Sequence, residues 1–165
     1  MRRHHASSFA LLVAALFAAG CQGRKIDIPK VLQVTEVTTG WFDAGIVEGG
    51  KNKLVPSIAL RLRNADTESI DSVQLFARFS RVGETEEWGT PPYVKAIGTD
   101  GLPAGTSTAL MVLRSNLGYT GEQPRLDMLR NSTFVDARVE LFAKYKSNTW
   151  VKIGEHQIAR QLLTR

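Results

Sequence analysis

Between Val31 and Ile158 apolar and polar residues alternate with a period of two, in short runs separated by Gly, Asn, Asp, Ser and Pro. That period sends successive side chains to opposite faces, so each run reads as a strand with one face on a core and the other on water. Strands are expected near residues 31–38, 54–64, 70–81, 93–98, 106–114, 134–146 and 149–158. Asn64-Ala65-Asp66-Thr67 and Ser147-Asn148-Thr149 supply polar turns, and Gly49-Gly50-Lys51-Asn52 and Thr99-Asp100-Gly101 supply glycine-bearing ones. Gly121–Asn131 alone reads as helical, with Pro124 near its start and Leu126, Met128 and Leu129 following.

Short strands with turns between them, over roughly 130 residues, favour two packed sheets over a barrel. The expectation is an all-β, immunoglobulin-like antiparallel β-sandwich of about seven strands with one short helix, filling residues 31–165 as a single domain. Cys21 is the only cysteine, so no core disulfide can form within the chain.

A different pattern opens the chain. Arg2 and Arg3 precede the apolar run Phe9–Ala19, which ends in small residues, the three zones of a secretory signal. The run would cover only about half of a ~30 Å hydrocarbon core, too little for a transmembrane helix. Leu16-Phe17-Ala18-Ala19-Gly20-Cys21 resembles the lipobox of bacterial lipoproteins, with Ala18 where Leu is commoner. The resemblance implies a signal over residues 1–20, a diacylglyceryl group on the Cys21 thiol, and a tether over residues 21–30. Gln22 after the cysteine, where Asp marks inner-membrane retention, points by the same resemblance to the periplasmic face of the outer membrane.

Ser57-Ile58-Ala59-Leu60-Arg61-Leu62-Arg63-Asn64, the run Val73–Phe79, and Leu102-Pro103-Ala104-Gly105 before Thr108–Leu113 resemble the FxLYD-type domains of bacterial envelope lipoproteins. That family implies a small immunoglobulin-like sandwich and no catalytic residues. Ser80-Arg81-Val82-Gly83 stands where the family often has an aromatic-Asp-Gly turn.

Charge and chemistry narrow the function. The formal charge of +5 includes Arg2 and Arg3; without them 19 basic residues face 16 acidic ones, scattered in pairs rather than in a block. Nucleic acid is therefore not an expected partner. His4 and His5 fall in the signal, leaving His156 as the one histidine of the domain and no set for a multi-histidine zinc site. No Gly-x-Ser-x-Gly elbow accompanies His156, and Glu84, Glu86 and Glu87 beside Trp88 read as a solvated turn. No catalytic residue, metal or cofactor is expected, and a hydrolase is the least favoured reading.

Two features suit binding. Aromatic residues fall in expected loops: Trp41 and Phe42, Trp88 before Pro91-Pro92-Tyr93, and Tyr119. Exposed Trp41, Trp88 and Tyr93 would suit a carbohydrate or peptidoglycan binder, but the preferred reading of Trp41 and Phe42 is that they plug one end of the core. The second feature is an echo: Val73-Gln74-Leu75-Phe76-Ala77-Arg78-Phe79 and Val139-Glu140-Leu141-Phe142-Ala143-Lys144-Tyr145 match in residue type at every position. With Leu60, Leu62, Leu75, Phe79, Val139 and Leu141 inward, alternation turns Arg61, Arg63, Phe76, Arg78, Arg138, Phe142 and Lys144 outward. Should the three strands share a sheet, they make an apolar patch rimmed by bases, for an acidic protein, an anionic glycan or lipid headgroups. The competing expectation has Phe76 and Phe142 covered by residues 121–131. The preferred function is a membrane-anchored, non-catalytic interaction or assembly module with an envelope protein or glycan as partner.

Overall fold

The computed structural model describes residues 24–163. The expected signal and the expected acceptor Cys21 lie outside the described residues, as do residues 164–165. Alternation does produce strands. After a single-turn helix α1 (Ile28–Val31), β1 (Leu32–Val47) turns back at Glu48-Gly49-Gly50 into β2 (Lys51–Asn64), a long hairpin paired from Leu32 opposite Asn64 to Val47 opposite Lys51, with register shifts between Thr35 and Thr38 and between Asp43 and Ile46. Gly49 and Gly50 both take positive φ, 77° and 74°, as the tight reversal demands. There follow β3 (Val73–Arg81), β4 (Tyr93–Ile97), β5 (Met111–Arg114), β6 (Tyr119–Gly121), α2 (Arg125–Arg130), β7 (Ala137–Tyr145), β8 (Val151–Gln157) and β9 (Leu162–Leu163).

One sheet runs β5-β2-β1-β9, with β6 following β5 along the same side of β2; the other runs β4-β3-β7-β8. The first, second and fifth strands thus face the fourth, third, seventh and eighth, the division of an immunoglobulin-like sandwich. Leu54, Ile58, Leu60 and Leu62 of β2 meet Val73, Leu75, Ala77 and Phe79 of β3 and Val139, Leu141 and Ala143 of β7, all with 0–1% of their surface exposed. Every residue expected to point inward does so. Each large side chain so enclosed contributes about 1.5–3 kcal/mol.

The strand expected to stop at residue 38 continues to Val47, because Gly40 is not a turn residue. A Cβ at Gly40 would stand 2.7 Å from Leu163 Cγ and 2.9 Å from the Gln161 carbonyl oxygen. Its hydrogen lets β9 lie parallel against β1, with Trp41 opposite Leu162. The two added strands, β6 and β9, are two or three residues long, too short for alternation to reveal. The segment expected as a tether is part of the domain from Arg24 onward: Ile28 is buried, and Arg24 pairs with Asp66 and Glu68 and donates to the Ser69 carbonyl.

Asn64, wholly buried at the end of β2, ties this end together. Its Nδ2 donates to the carbonyls of Glu68 and Leu102, both at 2.8 Å, and its Oδ1 accepts the Asp66 N–H at 2.9 Å. Asn64→Ala strands three buried or half-buried backbone groups and is expected to lower stability by about 2–4 kcal/mol, read from urea midpoints. A loss under about 0.5 kcal/mol would show that water replaces the amide freely.

Candidate functional site

The aromatic residues divide into two clusters at different places in the fold. At the end of the sandwich away from Arg24, Trp41 is fully enclosed, with ring centroids of Phe134 at 4.6 Å, Tyr119 at 5.6 Å and Trp88 at 6.0 Å. Trp41 lies in β1 rather than in a loop, so it is core, not an exposed platform. Trp88 is half-buried against it and Tyr119, with the Arg81 guanidinium 5.0 Å from the Trp88 ring. These rings plug the end of the core, and the expected use of Trp41 and Trp88 as sugar-stacking loop residues is corrected accordingly.

The second cluster stands on the outer face of the β4-β3-β7-β8 sheet. The echoed strands β3 and β7 are antiparallel neighbours, and their register puts Phe76 directly opposite Phe142. The rings stack 4.7 Å apart at an interplanar angle of 9°. Tyr93 of β4 is opposite Phe76 and 71% exposed. Trp150, just before β8, packs edge-on to Phe76 at 4.7 Å and is 38% exposed. Phe76, Pro91, Tyr93 and Trp150 line an almost wholly apolar cleft of about 190 Å³. Helix α2 packs on β2 instead, so it does not cover Phe76 and Phe142, which remain half-buried.

Charge surrounds the rings unevenly. On one side Arg78 donates through Nε and Nη2 to Glu140 Oε2, at 2.9 and 2.6 Å, with its guanidinium carbon 5.1 Å from the Phe142 centroid. Lys152 bridges Glu140 Oε1 at 2.7 Å and Glu155 Oε2 at 2.5 Å. On the other side Lys144 sits with Nζ 4.8 Å from the Trp150 ring, and Lys95 projects from β4 opposite Gln74. Among the described residues neither Lys144 nor Lys95 has an acidic partner. The expected rim of five bases is corrected: β2 lies in the other sheet, so Arg61 and Arg63 are remote from it, and Arg78 is already neutralised.

Lys152 donating to Glu140 holds its carboxyl below the ordinary value of 4.5, against the opposing effect of burial and with Arg78 assisting. The same contact raises the Lys152 ammonium, and the second hydrogen bond that Lys152 donates, to Glu155, lowers the Glu155 carboxyl. These groups brace the outer face; the open part is aromatic. Trp150 and Lys95 were not singled out by sequence reasoning. Hairpin pairing across Ser147-Asn148-Thr149 was the available signal, since it sets Trp150 beside Lys144.

The remaining candidates are scattered. His156 is opposite Val139 on β8, and its enclosed Nε2 has no hydrogen-bond partner among the described residues. Glu84, Glu86 and Glu87 are exposed, Glu84 lying 3.4 Å from Arg81. Among the described residues no group of three or more His, Cys, Asp or Glu is placed to hold a metal ion.

Two outcomes are expected. Phe76→Ser and Phe142→Ser should each cost about 1–2 kcal/mol in urea unfolding, below the ~3–5 kcal/mol of an enclosed ring; the larger loss would mean that the rings are core. Because Glu140 titrates lower folded than unfolded, its contribution is complete above its ordinary value and disappears as pH falls through the lowered one. Glu140→Gln should therefore cost about 1 kcal/mol at neutral pH, a figure discounted for the exposure of Arg78 and Lys152, and nothing in acid. Equal losses at both pH values would refute the linkage.

No family model, curated protein or solved structure matches the chain, which leaves the chemistry of its own residues as the guide to function.

Proposed function

We propose that the chain is a bacterial envelope lipoprotein, acylated at Cys21 and held at the periplasmic face of the outer membrane, whose sandwich works as a non-catalytic interaction module. The observation that carries this reading is the open aromatic patch of Tyr93, Phe76, Phe142 and Trp150 on a braced sheet face. Rings on a hydrogen-bonded sheet lose little conformational freedom when they meet a partner, which favours contact surfaces of this kind. A further observation supports the tether: the three signal zones end at Cys21, whose acyl chains would be the means of attachment. Among the described residues no helix is long and apolar enough to cross a membrane. The resemblance to FxLYD-type domains agrees with this assignment, and Asn64, the residue that ends its first strand, has a clear structural duty in holding the following turn.

A carbohydrate or peptidoglycan binder would draw on Trp41, Trp88 and Tyr93, of which only Tyr93 is freely exposed. The cleft beside Tyr93 is walled by Phe76, Pro91 and Trp150, with few polar groups to orient sugar hydroxyls. The sugar reading is therefore the weaker one.

Cys21→Ser should move the protein from the membrane fraction to the soluble one, and intact mass should lose the acyl chains that the wild type carries. Retention of the variant in membranes at the wild-type level would overturn the tether.

A further inference from the structure

We infer that the partner of the aromatic patch is the bilayer itself: Trp150 and Tyr93 rest at headgroup level on an anionic lipid surface while Lys144 and Lys95 meet its phosphates. This rests on the lipoprotein reading above and names the occupant of the same face.

The length of chain before the domain points there. A fully extended chain covers at most ~3.3–3.6 Å per residue, so an acylated Cys21 stands within about 11 Å of Arg24. Arg24 is fastened to Asp66, Glu68 and the Ser69 carbonyl, at the connection between β2 and β3. The lipid therefore enters at this end of the sandwich. The next residues, Ile26–Pro29, run beside the β7–β8 turn and share a cleft with Tyr145, Ser147, Asn148, Thr149 and Val151. Trp150 belongs to that same turn. Phe76 is three residues in from the start of β3, roughly 10 Å at the rise of a strand, and Lys144 and Lys95 are nearer still to the ends of their strands. The whole patch is thus in the half of the sheet closest to the anchor.

Its chemistry suits that place. Tryptophan and tyrosine combine an apolar body with a polar tip and settle where hydrocarbon gives way to headgroups, while lysine stems lie along carbon and lift their ammonium groups to phosphate. Lys144, over the face of Trp150, and Lys95 are the bases of this half that no acid neutralises among the described residues. Across the whole outer face, Arg78, Arg138, Lys95, Lys144 and Lys152 outnumber Glu140 and Glu155, so the field that the bilayer meets is positive. The enclosed cluster around Trp41 lies at the opposite end. With the tether and the patch both engaged, the β4-β3-β7-β8 face is turned to the membrane and the β5-β2-β1-β9 face away from it.

The test uses the full acylated chain reconstituted into vesicles of phosphatidylethanolamine and phosphatidylglycerol in which one lipid carries bromine at a shallow acyl position. Bromine quenches tryptophan at short range. Flotation and intact mass report the tether; quenching reports the patch. The expected result is marked quenching that is lost in Trp150→Phe, falls to the same level in Lys95→Glu/Lys144→Glu, and weakens when phosphatidylglycerol is left out or salt is raised. Near-ultraviolet circular dichroism checks that each variant keeps the fold. Floating, acylated protein without quenching, or quenching that Trp150→Phe leaves unchanged, would overturn the membrane contact while the tether stands. A chain that neither carries acyl groups nor floats would overturn both. A photocrosslinker at position 150 that captures a protein in place of lipid would assign the face to that protein and overturn the proposal.

Discussion

The buried amide of Asn64 is the constraint on which this end of the molecule depends. Its side chain bonds three backbone groups, and its own N–H and carbonyl pair with Thr106 and Gly105. Five partners converge on one fully buried residue, so the bonds its amide makes are costly to leave unmade. The consequences spread outward. The connection from Ala65 to Ile70 is held against Leu102, where Ile70 and Leu102 exchange both backbone hydrogen bonds. That held connection presents Asp66, Glu68 and the Ser69 carbonyl to Arg24. The exit of the N-terminal segment from the sandwich is therefore determined by a residue forty positions downstream of it.

What alternation can reveal and what it cannot are visible in particular residues. Leu75, Phe79, Val139 and Leu141 point inward and Phe76, Arg78, Phe142 and Lys144 outward, because a period of two leaves a buried strand no other register. Alternation carries no information about which strands share a sheet, so Arg61 and Arg63, with the same period, went to the opposite face of the molecule. Gly40-Trp41 misled for a different reason. A glycine beside an aromatic has two physical meanings, a turn or a close backbone approach, and the strand that approaches Gly40 comes from residues 162–163. Only the tertiary pairing distinguishes them. For Trp150 the β7–β8 hairpin signals Lys144 as a neighbour, but Phe76 reaches it only through the pairing of β3 with β7, which are distant in sequence.

The echo between Val73–Phe79 and Val139–Tyr145 acquires a physical meaning once the strands are paired. Antiparallel neighbours that read polar, aromatic, basic on their outer faces bring the two aromatics together at the centre, and each base opposite the other strand's polar residue. Arg78 meets Glu140, Lys144 meets Gln74, and Phe76 meets Phe142. A cross-strand aromatic pair and an opposite-charge pair each stabilise a sheet by about 0.2–1 kcal/mol. The likeness of the two segments is what local two-fold pairing selects, so it calls for no duplication of an ancestral segment. The one inequality matters more. Gln74 carries no charge, so Lys144 is left without the acid that Arg78 has.

That asymmetry separates bracing from contact on a single sheet face. Around Glu140 the charges satisfy one another, Arg78 and Lys152 sharing one carboxylate, and such a network resists deformation while offering little to a partner. A few ångströms along the same strands the rings of Tyr93 and Trp150 stand open beside two bases without acids. The contrast with the Trp41 cluster is instructive, since the four aromatic residues gathered there close the end of the core, with Trp41 and Phe134 buried and Trp88 and Tyr119 half-buried over them. Both clusters cost the chain the same kind of residue. Aromatic area held in water on a rigid sheet is hydrophobic free energy left unrealised in the isolated domain. It is recovered only against another surface, and with the tether proposed above, whose anchor would enter at the same end, the surface nearest to hand is the membrane.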